Sequence, residues 1–235
     1  ELEWLDESHA WLPLDLIESC STEDAGDPAL YRGGVCWVGV DFAARGDLTV
    51  IAVLEDVGGV LWCRELVELR RVPFAAQLAE LDRVLRDYRV VRAALDQTGL
   101  GEMPVQEAQR RHGSRIEGVI LTAPRKLDLA TVLRERFESG RIRVPRRSEV
   151  RADLHAVTRS VGPTGAPRLG AERTDGGHAD RFWAFALACG AASHGHADWR
   201  QFAGTGPSAT GRLAALTHTN RGWGSVRRVE RGYAA

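Results

Sequence analysis

Residues 35–56 read VCWVGVDFAARGDLTVIAVLED, two apolar runs rich in β-branched residues, separated by a polar turn, with Asp41 closing the first run. A Gly58-Gly59 turn and a third run, VLWCRELVEL (60–69), follow directly. Strand-length runs joined by short turns predict an antiparallel meander of three strands. Pro73 then opens PFAAQLAELDRVLRDY, where Phe74, Leu78, Leu81, Leu85 and Tyr88 recur at helical spacing. That spacing predicts a helix from about Pro73 to Tyr88.

Beyond the helix the pattern alternates. A short apolar run VVRAALD (90–96), a turn TGLGEMP, a helix near Val105–Arg111, a strand IEGVIL (116–121), a helix over Leu127–Glu138 and a strand RIRV (141–144) succeed one another. Such alternation predicts a parallel extension of the sheet. LHAVTRSV (154–161) and RLGAERT (168–174) flank the Gly/Pro-rich GPTGAP and predict an added β-hairpin, and a helix is expected over His178–Ala192. The expected class is α/β, with a mixed sheet of five or more strands flanked by helices.

Composition supports a folded domain. Of 235 residues 44% are hydrophobic and 27% charged, which argues against wholesale disorder. No apolar run approaches the ~20 residues of a membrane span, so no membrane role is expected. The net charge of −1 conceals two opposed pieces. Residues 1–30 carry nine acids and no Lys or Arg, leaving 31 basic against 23 acidic residues in the remainder. Cys20, Cys36, Cys63 and Cys189 form no CxxC pair, and no secretory signal is present, which favours a reduced, intracellular setting. The chain opens on Glu1 and its sole methionine is Met103, as expected of a piece of something longer.

Three acids stand out. Asp41 and Asp96 each end an apolar run. If the helix between those runs is a right-handed crossover, the two strands are parallel neighbours, ~4.8 Å apart, with both carboxylates at their C-terminal ends. A lone Asp in such a place is ordinarily a strand-end cap; two with one geometry weaken that reading. Asp180, in GGHADRFWAFALA (176–188), falls in the first turn of the last helix on the side of Trp183, Ala184 and Leu187, and so faces the sheet. A charge turned inward needs a partner. Three carboxylates converging on hard divalent cations, Mg²⁺ or Mn²⁺, would make a two-ion site for phosphodiester hydrolysis.

The order of strands and helices, with acids on the first strand, the fourth strand and a late helix, resembles the ribonuclease H-like nuclease fold. VGVDFAARGDLTVIAVLE, ALDQTGLGEMPVQEA and GGHADRFWAFALA together resemble the nuclease domain of large terminase subunits of tailed phages, particularly the Mu-like branch. The pattern runs from about Glu3 to Ala192. The resemblance implies a metal-dependent endonuclease that cleaves concatemeric viral DNA during packaging, with Asp41, Asp96 and Asp180 as catalytic metal ligands. Many terminases show a further acid directly before the last one; here that position is Ala179, and Asp47 or His178 are the candidates to compensate. Nothing resembles GxxxxGK[ST], so the family's ATPase motor is absent from this sequence. The implied organisation is an acidic lead-in over 1–30, a nuclease domain over 31–195 and a basic, poorly ordered tail over 196–235. Implied partners are double-stranded DNA, the portal protein, the small terminase subunit and the ATPase domain of the same subunit. The implied setting is the cytoplasm of the bacterial host.

DNA contacts are expected from arginine, which makes up 30 of the 31 basic residues. Arg141, Arg143, Arg146, Arg147 and Arg151 crowd one stretch, and the hairpin adds Arg159, Arg168 and Arg173; such clusters suit phosphate contacts that position a duplex without reading it. Lys126, the single lysine, reads as a solvated residue at a helix start, with contact to phosphate or to the acids as the other reading. Two different functions compete: a kinase-like ATP-binding domain related to actin and sugar kinases, with DFAARGD and DQTGLG as phosphate turns, and a prophage DNA-binding module that has lost activity.

Overall fold

The computed structural model describes residues 10–43, 48–161, 167–171 and 179–203, with side-chain environments for most of them. The chain divides into two compact units, Glu1–Ala197 and Asp198–Ala235. The strands among the described residues are β1 (Ser21–Thr22), β2 (Cys36–Asp41), β3 (Leu48–Val57), β4 (Val60–Arg70), β5 (Val90–Asp96), β6 (Ile116–Val119), β7 (Ile142–Pro145), β8 (Thr158–Val161) and β9 (Pro167–Gly170). The helices are α1 (Leu14–Cys20), α2 (Phe74–Asp87), α3 (Glu102–His112), α4 (Ala123–Glu138), α5 (Ser148–Ala156) and α6 (Asp180–Ala203).

The predicted meander forms: β2 pairs antiparallel with β3, and β3 with β4. The crossover through α2 returns β5 parallel to β2, and β6 extends the sheet parallel to β5. Among the described residues the sheet has seven strands in the order β1-β7-β4-β3-β2-β5-β6, and β8 and β9 form a separate antiparallel hairpin. The central strands are apolar on both faces because both are covered. Cys36, Val38, Val40, Ile51 and Val53 pack with Leu78, Leu81 and Val84 of α2 and Val105 and Ala108 of α3. The alternate residues Trp37, Val50, Ala52 and Leu54 pack with α1, α4, α5 and α6. This three-layer arrangement is the ribonuclease H-like architecture expected from the order of elements.

The chain departs from expectation in several places. RIRV does not extend the sheet beside β6; β7 crosses to the opposite side and pairs parallel with β4. LHAVTRSV is not one strand, because Leu154 to Ala156 finish α5 and the strand begins at Thr158. Val150 and Leu154, one helical turn apart, are the buried stripe of that helix. The fourth helix starts at Ala123 rather than Leu127, since Thr122 caps it by accepting from the Arg125 N–H and Pro124 sits in its first turn. The last helix begins at Asp180 and runs to Ala203. Residues 14–22 of the acidic lead-in form α1 and β1, with Leu12, Ile17 and Cys20 in the main core and β1 paired to β7. Among the described residues no helix is long and apolar enough to cross a membrane.

The first part of α6 is buried on all sides, Phe182 to Ala188 included. Small residues let it lie unusually close to the sheet. A Cβ on Gly39 of β2 would sit 2.0 Å from the Ala184 carbonyl oxygen and 2.4 Å from the Ala188 nitrogen. Gly39 is therefore the contact at which helix and sheet meet backbone to backbone.

Candidate active site

Strand alternation puts Trp37, Gly39 and Asp41 on the face of β2 that α6 covers. On β5, Ala94 belongs to that same core and Asp96 follows it by two residues. The parallel register pairs Gly39 with Ala94 and Val40 with Leu95, so the next residue on each strand is an aspartate. Along α6, Asp180 precedes Ala184 by one turn, ~5.4 Å, and along β2, Asp41 lies two residues, ~6.6 Å, beyond Gly39. With Ala184 against Gly39, the helix start is carried to the strand end. Asp41, Asp96 and Asp180 accordingly line one pocket of about 310 Å³, with Leu121, Lys126, Gly170, Ala171 and Trp183.

Each acid is held by its own local structure. Two residues past Asp41, the Ala43 N–H donates to Thr49 Oγ1 (2.8 Å) and its carbonyl accepts from Gln77 Nε2 (3.0 Å). Thr49 and Gln77 are buried and bonded to each other at 2.9 Å, so the strand end is fastened to α2. Asp96 accepts from the Thr98 N–H at 2.8 Å, and Gly101 closes the turn by donating to the Thr98 carbonyl. A Cβ on Gly101 would come within 2.3 Å of the Asp96 carbonyl oxygen, which is why that turn needs glycine there.

Asp180 is 6% exposed and follows Ala179, a buried alanine at φ +60°. That left-handed conformation costs an alanine ~1–2 kcal/mol, a strain held at the entrance to the helix that bears the acid. The next residue supplies an anchor. Asp153 of α5 accepts from both the Arg181 backbone N–H (3.2 Å) and its guanidinium Nη1 (2.9 Å), while Arg181 Nε donates to Glu68 of β4. The other oxygen of Glu68 accepts from Arg147 Nη2 at 2.6 Å. Charges this deep persist only when paired, and here the pairing pins the start of α6 to two neighbouring elements.

The arginines expected to meet DNA divide into groups. Arg146, Arg147 and Arg151 line a second pocket of about 190 Å³ with Glu18, Ser21 and Ser148. Arg151 is paired with Glu18 at 3.1 Å, and Arg146 donates to the Ser21 carbonyl, so the acidic lead-in neutralises part of the cluster. Arg143 is not among them. Its guanidinium donates to the carbonyls of Gly140 and Ile142 and lies over the Trp62 ring. Arg141 is exposed at the entrance to β7, and Arg159 and Arg168 are exposed on the hairpin, whose Gly170 reaches the acid pocket. Asp47, His178 and Arg173 lie outside the described residues.

Sequence reasoning set Lys126 aside. The earlier start of α4 brings it into the first turn, half-buried, with Nζ 4.8 Å from the centroid of the Trp183 ring and its side chain lining the acid pocket. The signal that was available is the Thr122 and Pro124 pair that starts the helix.

Among the described residues no group of three or more His, Cys, Asp or Glu is gathered closely enough to hold a metal ion by itself. The donor set nonetheless fits hard cations. Mg²⁺ and its analogues are commonly held by one or two carboxylates, with waters and substrate phosphate oxygens completing the shell, and carboxylates arrayed around an open pocket supply that.

The family model described as the terminase RNaseH-like domain matches residues 38–191, which spans all three acids. Among solved structures, the large terminase nuclease of thermophilic phage G20c with bound magnesium is similar with a TM-score of 0.62, at 21% identity over 77% of this chain and 97% of that one. The Thermus phage P74-26 large terminase nuclease domain is similar at 0.59 and 21% identity, covering 74% and 92% of the two chains. The HK97 bacteriophage large terminase gives 0.59 at 13% identity, over 77% of this chain but 43% of that one. At such identities these likenesses establish the fold. No curated protein is significantly similar in sequence. With the family match covering most of the chain, and the three acids gathered within it, the chain belongs to the terminase RNaseH-like domain family.

Proposed function

We propose that this domain is a divalent-metal-dependent endonuclease that cleaves concatemeric viral DNA during genome packaging. One observation carries the reading: Asp41, Asp96 and Asp180 line a single pocket at the C-terminal ends of adjacent parallel strands, in a chain of the terminase family. Two ions of Mg²⁺ or Mn²⁺ would be held by these carboxylates and would supply Lewis-acid stabilisation and a more acidic attacking water. The protein's part is to fix the three acids on two strands and a clamped helix, so that little reorganisation is needed when substrate arrives. That metals are bound by similar folds is supported by the G20c nuclease, whose structures carry magnesium, cobalt and zinc.

Duplex DNA would approach across the hairpin and the arginine pocket. Arg141, Arg146, Arg147, Arg151, Arg159 and Arg168 then contact phosphates, with Arg143 contributing to the fold of β7 instead. In the full-length subunit an ATPase domain, the portal protein and the small terminase subunit are the partners we infer, in the cytoplasm of the bacterial host. Residues 1–30 would be the connection to the motor and 196–235 a basic tail.

The bonding of the DQTGLG turn argues against the kinase-like reading. A phosphate-binding turn needs outward-facing N–H groups, whereas the Thr98 and Gly101 N–H groups are consumed within the turn and Thr98 Oγ1 accepts from the Leu121 N–H. Incubation of supercoiled plasmid with the protein and Mn²⁺ or Mg²⁺ tests the proposal. Nicked and linear products are expected, and both a chelator and Asp41→Ala should abolish them. Cleavage that persists in the Asp41→Ala protein would remove the proposed site, and intact plasmid under all conditions would favour the inactive binding module.

A further inference from the structure

We propose that Lys126 is a catalytic residue of this site, its ammonium contacting the phosphate at which the strand is cut. The inference rests on the nuclease reading above and extends it to a cation for which the sequence favoured a solvated position over contact with phosphate or the acids. Lys126 lines the same pocket as Asp41, Asp96 and Asp180. Its Nζ rests over the Trp183 indole at 4.8 Å, and Trp183 stands three residues after Asp180 on the same side of α6. The ring holds the charged end by cation–π attraction while leaving its N–H donors available. Among the described residues the ammonium makes no ion pair, although its neighbour Arg125 is committed to Glu117 at 3.7 Å. An ammonium in a pocket with three carboxylates, yet bonded to none of them, is held ready for another anion.

The chemistry of the site identifies that anion. Attack on a phosphodiester builds negative charge on the non-bridging oxygens, and a compact point charge with three donors suits a position at the edge of a metal pocket, where an arginine fork would need more room. Lys126 acts by charge and hydrogen bonding alone, and no proton or leaving group passes through it. Thirty of the 31 basic residues are arginine, so this is the one place where the chain departs from its own habit.

Two measurements on Lys126→Met and Lys126→Arg test the proposal. Methionine keeps the apolar stem against Trp183 and removes the charge. Turnover of plasmid by Lys126→Met is expected to fall by roughly 100-fold, in line with loss of one donor to a developing oxyanion, with KM within about threefold of the parent. Arginine should recover at least about tenfold of that loss, because the charge returns with altered geometry. Independently of cleavage, duplex affinity measured without metal should show a shallower salt dependence in Lys126→Met, the slope of log K against log salt reduced by about 0.9, as for loss of one phosphate contact. A purely structural role would leave that slope unchanged. Turnover within threefold of the parent, or an unchanged slope, would overturn the proposal. A parent protein that fails to cleave at all counts against the nuclease reading instead, and the salt slope still tests Lys126.

Discussion

Asp180→Asn is expected to lose about a thousandfold in plasmid cleavage while binding duplex DNA as tightly as the parent or more tightly. The loss follows from the charge: an amide oxygen is a poor substitute for a carboxylate toward a divalent cation, and ~4 kcal/mol of lost transition-state stabilisation corresponds to that factor. The gain in binding follows from the same change, since a negative charge facing the phosphates disappears. Asparagine matches aspartate in size, so the buried start of α6, anchored by Arg181 on Asp153 and Glu68, should be preserved. Thermal melting of the variant checks this. A melting temperature close to the parent's, with cleavage gone, assigns the residue to chemistry; unfolding of the variant would show Asp180 to be a structural acid.

Gly39→Ala produces the largest effect on stability. The added methyl carbon would lie 2.0 Å from one backbone atom of α6 and 2.4 Å from another, and no side-chain rotation relieves a clash with backbone. Overpacking of cores ordinarily costs ~1–3 kcal/mol, and here the whole helix must move, so the upper end of that range or beyond is expected. Against a total stability of ~5–15 kcal/mol that is a large share. For a chain of this size it lowers the melting temperature by about 10 °C, read by circular dichroism. Because Asp180 is carried on the displaced helix, residual folded protein should also cleave poorly. A melting temperature within a degree or two of the parent's would show that α6 does not meet β2 at Gly39.

Much of the fold was legible because its signals are local. The meander is announced by β-branched runs and a Gly-Gly turn, and α2 by the spacing of Leu78, Leu81 and Leu85, three of its buried positions. The pairing of Asp41 with Asp96 also followed from local signals, since a right-handed crossover leaves two strand ends side by side. What could not be read is non-local. Nothing in RIRV says that β7 pairs with β4, because parallel pairing depends on which edge remains open when the chain returns. The helix α5 has nine residues and only Val150 and Leu154 as an apolar stripe, too little to outweigh the β-branched residues that follow. The nine acids dominate the composition of the lead-in, while its apolar Leu12 and Ile17 are fully buried.

The site was legible to a similar depth. The three acids share a pocket because each belongs to a regular element whose period gives its direction. Side-chain commitments are another matter. That Arg143 turns to its own strand's carbonyls, that Arg151 is met by Glu18 from far away in sequence, and that Lys126 lies on Trp183 all depend on tertiary neighbours.

The most direct test of the three-acid site is anomalous diffraction from crystals of this domain soaked in Mn²⁺. Peaks are expected in the pocket against the carboxylates of Asp41, Asp96 and Asp180, and should vanish in crystals of Asp41→Ala. Manganese bound elsewhere on the protein, with none at these three carboxylates, would contradict the assignment.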